Sequence, residues 1–338
     1  MKPLVSILIP AFDAEEWIAD TIKSAVRQTW PRKEIIVVDD GSTDQTLSIA
    51  RQFASERVSV VTQDNQGAAA ARNHAFSICQ GDYIQWLDAD DLLAPDKIAR
   101  QMEAVDHGAS KRMLLSSAWG RFIYRPHRAN FVPTALWCDL PPVEWLLRKM
   151  GQNVFMQTAT WLVSRELTEA AGPWNTQVLI DDDGEYFCRV LLSSNGTRFI
   201  PEARVFYRMS GTNSLSYFGR SERKMEALFL SMQLHIGYLR SLEDSERVRA
   251  VCVRFLQDSL PWFYPDRLDI VKQAEQLAAT LGGRLEVPRL SWKYDWIQKC
   301  FGWPLANHAQ ILMSRCRCSM IQSWDKALSR IDSRNLAG

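Results

Sequence analysis

Residues 4–9, Leu-Val-Ser-Ile-Leu-Ile, form a short apolar run that stops at Pro10, the pattern of a strand buried on both faces. The period then changes. Trp17, Ile18, Thr21, Ile22, Ala25 and Val26 recur at helical spacing as far as Pro31, and Asp13 and Glu16 stand ahead of them at capping-box spacing. Residues 34–38, Glu-Ile-Ile-Val-Val, predict a second buried strand, and Leu47, Ala50, Phe53 and Ala54 mark the face of a helix that Ser42 or Thr43 would cap. A strand over 58–62, a helix over 67–79 and a strand over 82–87 continue the alternation, and Pro95 opens another helix at its favoured first position. Repeated strand–helix alternation over residues 1–105 predicts an α/β fold with a mainly parallel, Rossmann-like sheet flanked by helices, whose ligands sit at the carboxyl ends of the strands.

From 111 to 208 the pattern loosens, with strands expected at 113–118 and 161–164, a helix near 143–150, a turn at 172–174 and a helix after Asp181. Beyond Arg220 strand signals vanish, and 221–242, 245–255, 268–281 and 292–328 read as a separate helical unit. The expected division is 1–218, made of a nucleotide-binding half (1–105) and an acceptor half (106–218), then a helical region over 219–338.

Composition narrows the class. The 338 residues are 46% hydrophobic and 23% charged with a net charge of +1, a globular balance that excludes disorder and gives no global charge for coating nucleic acid. The N-terminus lacks a basic segment ahead of a long apolar one, and no apolar run reaches the roughly 20 residues of a membrane helix, so a cytoplasmic chain is expected. Seven scattered cysteines suit reduced thiols.

Carboxylates cluster where the strands end. Asp39-Asp40-Gly41-Ser42-Thr43-Asp44 follows the second strand, where a carboxylate can accept from a base imide or ribose hydroxyl, although these are also ordinary turn residues. Asp88-Ala89-Asp90-Asp91 follows the fourth, and three carboxylates at a buried strand end call for a cation or hydrogen bonds. Asn65-Gln66-Gly67 leads through four alanines to Arg72-Asn73, where Arg72 suits a bidentate pair with a carboxylate or phosphate. Asp181-Asp182-Asp183-Gly184-Glu185 holds more acid than a helix dipole explains. No G-x-G-x-x-G follows the first strand, which argues against a dinucleotide oxidoreductase.

In this order the elements over residues 3–218 resemble the glycosyltransferase family 2 enzymes of GT-A fold. Pro10-Ala11-Phe12-Asp13 is similar to the opening P-x-[FY]-N with Asp for Asn. V-D-D-G-S-T-D stands at 38–44, N-x-G-x-x-x-A-R-N at 65–73 and L-D-A-D-D at 87–91. Gly172 and Trp174 match the G-x-W element. Asp182-Asp183-Gly184-Glu185 with Arg189 matches the E-D motif with Asp182 for Glu, and Ser210 stands where the family often has His. The resemblance implies an inverting transferase that moves a sugar from a nucleoside diphosphate sugar, most readily a uridine one, to a hydroxyl on a saccharide or lipid-linked acceptor. It implies Pro10, Phe12, Asp39, Asp40, Arg72 and Asp88 at the nucleotide, with Phe12 stacking on the base and Arg72 bracing the Asp39 or Asp40 carboxylate. It further implies Mn2+ or Mg2+ on Asp88 and Asp90, Asp183 as base, and Trp174, Asp182 and Glu185 at the acceptor. A scaffold of the same fold that binds the sugar nucleotide without transfer is the alternative.

The tail carries a different signal. From 285 to 338 eight basic residues face four acidic ones, interleaved with Trp292, Tyr294, Trp296, Phe301, Trp303 and Trp324. Such a segment suits a cap packed on the catalytic region or on a second copy in a homodimer, or peripheral contact with the inner face of a membrane.

Overall fold

Strand β1 (Val5–Ala11) runs through the middle of a five-stranded sheet, and every one of its residues is buried. The computed structural model describes residues 2–106, 108, 110–210, 221–288, 293 and 295–335. β1 pairs in parallel with β2 (Lys33–Asp39) on one side and β4 (Tyr83–Trp86) on the other. β3 (Val58–Thr62) lies outside β2, and the short antiparallel β8 (Val163–Ser164) ends the order β3-β2-β1-β4-β8. Helices α1 (Ile18–Val26), α2 (Thr46–Arg51) and α3 (Ala68–Ile78) make the crossovers. The chain thus moves outward from β1 to β3, then returns to the far side of β1. β4 pairs with β1 only as far as Leu8, whereas β2 follows it to Ala11, so a crevice opens at the reversal point where α/β sheets bind ligands.

A second sheet, in the order β5-β9-β6-β7, consists of β5 (Leu92–Leu93), β9 (Thr197–Arg208), β6 (Leu114–Phe122) and β7 (Asn130–Phe131). Strand β9 is absent from the sequence reading. Pro201 and Glu202 interrupt its apolar pattern, and the structure absorbs them in a bulge, because Ser117 pairs with Ile200 while Ala118 pairs with Arg204.

The remaining helices are α4 (Lys97–Asp106), α5 (Pro142–Gln152), α6 (Arg165–Ala171), α7 (Asp182–Ser193), α8 (Glu222–Leu242), α9 (Glu246–Ser259), α10 (Leu268–Thr280) and α11 (Asp295–Asn335). Gly302, at φ 82°, breaks α11 into two runs. The helical region is not a separate unit. Met225 and Phe229 of α8 and Val248 and Cys252 of α9 join one buried cluster with β1, α5 and α7, because α5 and α7 keep apolar faces that the sheet leaves uncovered. No described helix is long and apolar enough to cross a membrane.

A polar clamp inside this core holds the loop that approaches the crevice. Gln85 of β4 donates to the Trp86 and Ala159 carbonyls at 2.7 and 2.8 Å, and the fully buried Lys97 of α4 donates to Gln85 Oε1 and, at 3.4 Å, to the Trp161 carbonyl. Burial holds the Lys97 amine well below its ordinary 10.5. The unfolded chain therefore binds more protons than the folded one below pH 10.5, and stability drains away as pH falls through that window until the folded value is reached. Lys97→Met removes this dependence. Relative to the parent the variant gains up to about 1.4 kcal/mol per pH unit as pH is lowered from about 10 towards 7, read from urea midpoints.

Candidate active site

The first two loops at the carboxyl end of the sheet are zipped together. Asp13, held at φ 44°, accepts from the Thr43 N–H at 2.8 Å, and its own N–H donates to Ser42 Oγ at 3.1 Å. Glu15 accepts from the Gln45 N–H, and its N–H donates to Asp44. These bonds use the residues that the sequence suggested as caps, so α1 and α2 start later than expected, at Ile18 and Thr46. The clasp frames Phe12, which stands 47% exposed at the lip beside Pro10 and offers a ring face for stacking.

Asp39 and Asp40 part company at the end of β2. Both oxygens of Asp40 pin the next loop, accepting from Gln63 Nε2 at 2.7 Å, the Gln66 N–H at 3.0 Å and the Gly67 N–H at 2.8 Å. Asp40 is a loop anchor, with three of its acceptor sites spent inside the protein. Asp39 accepts only long bonds at Oδ2, from the Ser42 N–H and Thr62 Oγ1 at 3.3 Å, and its buried Oδ1 has no partner among the described residues. An orphaned buried acceptor beside an exposed aromatic is what a base imide donor would satisfy. Gly41, directly after them, sits at φ 73°, and a Cβ there would come within 2.9 Å of the Asn65 backbone nitrogen.

Arg72 does not brace Asp39 or Asp40. Its side chain is 5% exposed and bridges two other strand-end acids, donating from Nη2 to Asp88 at 2.8 Å and from Nη1 to Asp182 at 2.6 Å. Burial alone would lower its pKa, but Asp182 and Asp88 raise it, so the guanidinium stays charged. Trp174, expected at the acceptor, is 2% exposed and is instead the platform below this cation. The guanidinium carbon lies 4.3 Å from the Trp174 ring, which stacks on Tyr186 at 4.1 Å and 8°. Asn73 fixes the platform with two amide bonds to the Trp174 backbone, at 2.8 and 2.9 Å.

Of the acids after β4, Asp91 is a buried strut that accepts from the Arg208 N–H at 2.7 Å and from Gln157. Asp90 is partly exposed. Burial, helped by Asp88, pushes its carboxyl up to about 6, against the Ser210 hydroxyl that hydrogen-bonds it and against the Arg208 charge. Arg208 is itself buried, donates to the Asp90 carbonyl at 2.7 Å and lies 4.3 Å from the Trp17 ring. No group of three or more described acidic, His or Cys residues is arranged to hold a metal alone. Asp88 and Asp90 are a hard oxygen pair with excess negative charge, which fits a divalent cation that takes its other ligands from a bound diphosphate.

Asp183 lies at the start of α7. Burial first, then Asp182, Asp181 and Asp88, push its carboxyl up to about 7, against Arg72. Its Oδ2 accepts from Thr158 Oγ1 at 3.1 Å and its Oδ1 from the Gly184 N–H at 2.9 Å, which leaves each oxygen a further lone pair. Asp182 is committed to Arg72 and to the Asp183 N–H. Glu185, also expected at the acceptor, is buried and spends its oxygens on Arg189 at 2.8 and 2.9 Å and on the Tyr238 hydroxyl at 2.7 Å. Both acids act as braces; Glu185 and Trp174 are buried, while the Asp182 side chain keeps 22% of its surface exposed.

Several supports were not visible in the sequence. Thr158 and Gln157 come from a polar turn with no periodic signal, and α8 reaches back with Ser231 donating to Asp181 at 2.8 Å. Buried Lys149 donates to His235 Nε2 at 3.0 Å, while His235 Nδ1–H donates to the Ser231 carbonyl at 2.7 Å. Burial and Lys149 keep His235 below its ordinary range, and Asp181 holds Lys149 above its own against the cost of burial. The bridge at Arg72 is the most exacting of these contacts. Arg72→Gln leaves two acids unanswered and costs about 3 kcal/mol of unfolding free energy. Arg72→Lys recovers less than half of that, since one ammonium cannot span both carboxylates with fork geometry; urea melts of the two variants measure it.

Residues 6–169 match the model of glycosyl transferase family 2. The chain is 45% identical over 105 residues to the putative teichuronic acid biosynthesis glycosyltransferase TuaG of Bacillus subtilis, covering 30% of this chain and 42% of that one. It is 39% identical over 104 residues to the Escherichia coli UDP-Glc:alpha-D-GlcNAc-diphosphoundecaprenol beta-1,3-glucosyltransferase WfaP, covering 30% and 41%. The matches thus span about two fifths of these relatives. Among solved structures, Staphylococcus aureus TarS 1–349 in complex with UDP superposes with a TM-score of 0.60 at 17% identity, covering 87% of this chain and 78% of that one. The mannosyltransferase PcManGT of Pyrobaculum calidifontis, in complex with GDP-Man and Mn2+, gives 0.51 at 18% identity, covering 98% and 87%. The likeness in architecture extends through the helical region, and the acids at 39–40 and 88–91 fall inside the matched segment while Trp174 and residues 182–185 lie beyond it: the chain has a GT-A-like fold and carries a glycosyltransferase family 2 domain over residues 6–169.

Proposed function

We propose that the protein is an inverting glycosyltransferase that uses a nucleoside diphosphate sugar, with uridine as base, and a hydroxyl acceptor in glycan or polysaccharide synthesis. The observation that carries this reading is the division of labour among the strand-end acids. Asp39 keeps a buried unpaired oxygen beside Phe12, Asp88 and Asp90 form an oxygen pair, and Asp183 is raised to about 7. TarS has been solved with UDP and with UDP-GlcNAc, which supports the uridine reading.

Phe12 stacks on the base and Asp39 Oδ1 accepts its imide N–H. Asp88 and Asp90 would hold Mn2+ or Mg2+, as the PcManGT complex with Mn2+ suggests, and the cation would neutralise charge on the leaving diphosphate. Asp183 takes the proton of the acceptor hydroxyl as its oxygen attacks the anomeric carbon and the bond to the diphosphate breaks. A single displacement inverts the configuration at that carbon. A base near neutrality is matched to this task, because about half of it is free of its proton at pH 7 while it stays basic enough to take one. The raised Asp183 favours catalysis over a silent sugar-nucleotide scaffold.

Asp183→Asn preserves shape but cannot accept the proton, so turnover of a UDP-sugar falls about a hundredfold or more while UDP affinity by calorimetry stays within about twofold. Loss of UDP affinity in that variant would make Asp183 a binding residue and send the base elsewhere. In the parent, kcat rises with pH through about 7 as Asp183 loses its proton, and protonation below that value switches turnover off. Asp90→Ala abolishes the metal dependence of both binding and turnover, measured by titrating Mn2+ against UDP.

A further inference from the structure

Past Gly302, α11 leaves the helical body and reaches Tyr124, Arg125 and Met209 beside the second sheet and Glu16 ahead of α1. At its near end the Trp303 indole donates to the Pro288 carbonyl at 2.8 Å and packs edge-on against Tyr264. At its far end Asp325 accepts from the Tyr124 N–H at 2.9 Å and from Arg125 Nε at 2.8 Å, and Asp332 lies 3.5 Å from Arg125. Lys326 pairs with Glu16 at 3.0 Å, and Gln322 donates to the Met209 carbonyl at 3.3 Å. Asp325 and Asp332 are the two acidic residues of this run, and both are turned inward.

The outward face has the opposite character. Met313, Met320, Trp324 and Ile331 recur at helical spacing and are 62%, 73%, 70% and 53% exposed, with Leu305 and Leu312 beside them. At about 100° per residue, exposed Arg317 borders this sector on one side and exposed Arg330 on the other. Neither arginine has an ion-pair partner among the described residues. A continuous stripe of this kind exceeds the single exposed apolar residues of an ordinary surface. Of the aromatic tail residues singled out in the sequence, Trp292 and Tyr294 lie outside the described residues, Trp303 packs inward as a cap would, and Trp296, Phe301 and Trp324 stay exposed.

Charge selects the occupant. A second copy would set arginine against arginine with no outward acid to answer them, which is unfavourable. An anionic lipid surface answers both parts of the face, since acyl chains accept the Met, Leu, Ile and Trp side chains while headgroups pair with the flanking arginines. We propose that the outward face of α11 over residues 305–331 is a docking surface for an anionic bilayer, on which the helix lies flat. Gln322 touches Met209, the neighbour of the Ser210 that bonds Asp90, so docking holds the crevice beside the membrane. On the transferase reading, on which this last step rests, the acceptor hydroxyl is one carried by a membrane lipid.

The full chain is sedimented with vesicles of phosphatidylglycerol and phosphatidylcholine in equal parts, and with phosphatidylcholine alone, at low and high salt. Binding is expected to the anionic vesicles only and to weaken as salt screens the arginines. Arg317→Gln with Arg330→Gln lowers vesicle affinity roughly thirtyfold, and Met320→Asp with Trp324→Asp abolishes binding. All four side chains are exposed, so melting temperatures should match the parent. Indifference of the parent to anionic vesicles at low salt overturns the proposal. So does a concentration-dependent dimer that Met320→Asp disperses while vesicles are ignored, which assigns the face to a second copy. The assay contains no nucleotide, so a protein that binds vesicles but shows no thermal shift with UDP would lose the donor reading and keep the docking surface.

Discussion

The site is organised around a surplus of negative charge. Asp88, Asp90, Asp91 and the acids at the start of α7 converge at the carboxyl ends of parallel strands, where burial raises the cost of every charge. One buried arginine makes the arrangement tenable. Arg72 reaches from α3 to Asp88 after β4 and to Asp182 on α7, so a single guanidinium fixes the distance between the oxygen pair and the candidate base. Its geometry is enforced from beneath by the Trp174–Tyr186 stack and sideways by Asn73 on the Trp174 backbone. Burial raises Asp90, Asp91, Asp182 and Asp183 alike, but Asp182 is paired with Arg72 and Asp91 is held by Gln157 and the Arg208 N–H, which leaves Asp90 and Asp183 as the raised carboxyls without such a partner.

The second constraint comes from outside the matched family segment. Helix α8 contributes Ser231 to Asp181 and Tyr238 to Glu185, and the buried Lys149–His235 pair adds a positive charge behind α7. Asp181 occupies a left-handed conformation at φ 60°, and Gly184 leaves room for its carboxylate, where a Cβ would overlap it. The helical region therefore sets the position of the acids it does not itself supply. From the other side, the Gln85–Lys97 clamp fixes the turn that brings Thr158 to Asp183.

The tail continues the same logic outward. Beyond Gly302 its two acids, Asp325 and Asp332, are used on Tyr124 and Arg125, and Lys326 on Glu16, which leaves a face of apolar and basic character turned to solvent. Contact with Met209 ties that face to the end of β9, the strand that delivers Arg208 to Asp90 and Asp91. The outward face of α11 and the crevice thus come together at the carboxyl end of β9.

Local pattern determined a good deal. Uninterrupted apolar strands at 4–9 and 34–38, the helical period after each, and acid clusters after the second and fourth strands required a parallel sheet with an acidic carboxyl edge, because strand burial and ligand position follow from short-range periodicity. The long helices of the C-terminal region were legible for the same reason. Pairing was not. Whether Arg72 served Asp39, Asp40, Asp88 or Asp182 depended on how far strands 2 and 4 run beside strand 1, a matter of register between distant segments. Trp174 and Glu185 carried the right motif positions but became platform and brace, because Asn73 and Arg72 of α3 hold Trp174 and packing of α7 against α8 buries Glu185. Strand β9 was hidden by Pro201, whose bulge only a partner strand can accommodate. Sequence determined which side chains gather at the crevice, and the tertiary structure decided which of them keep an unpaired oxygen, since hydrogen bonds between residues far apart in the chain consume the rest.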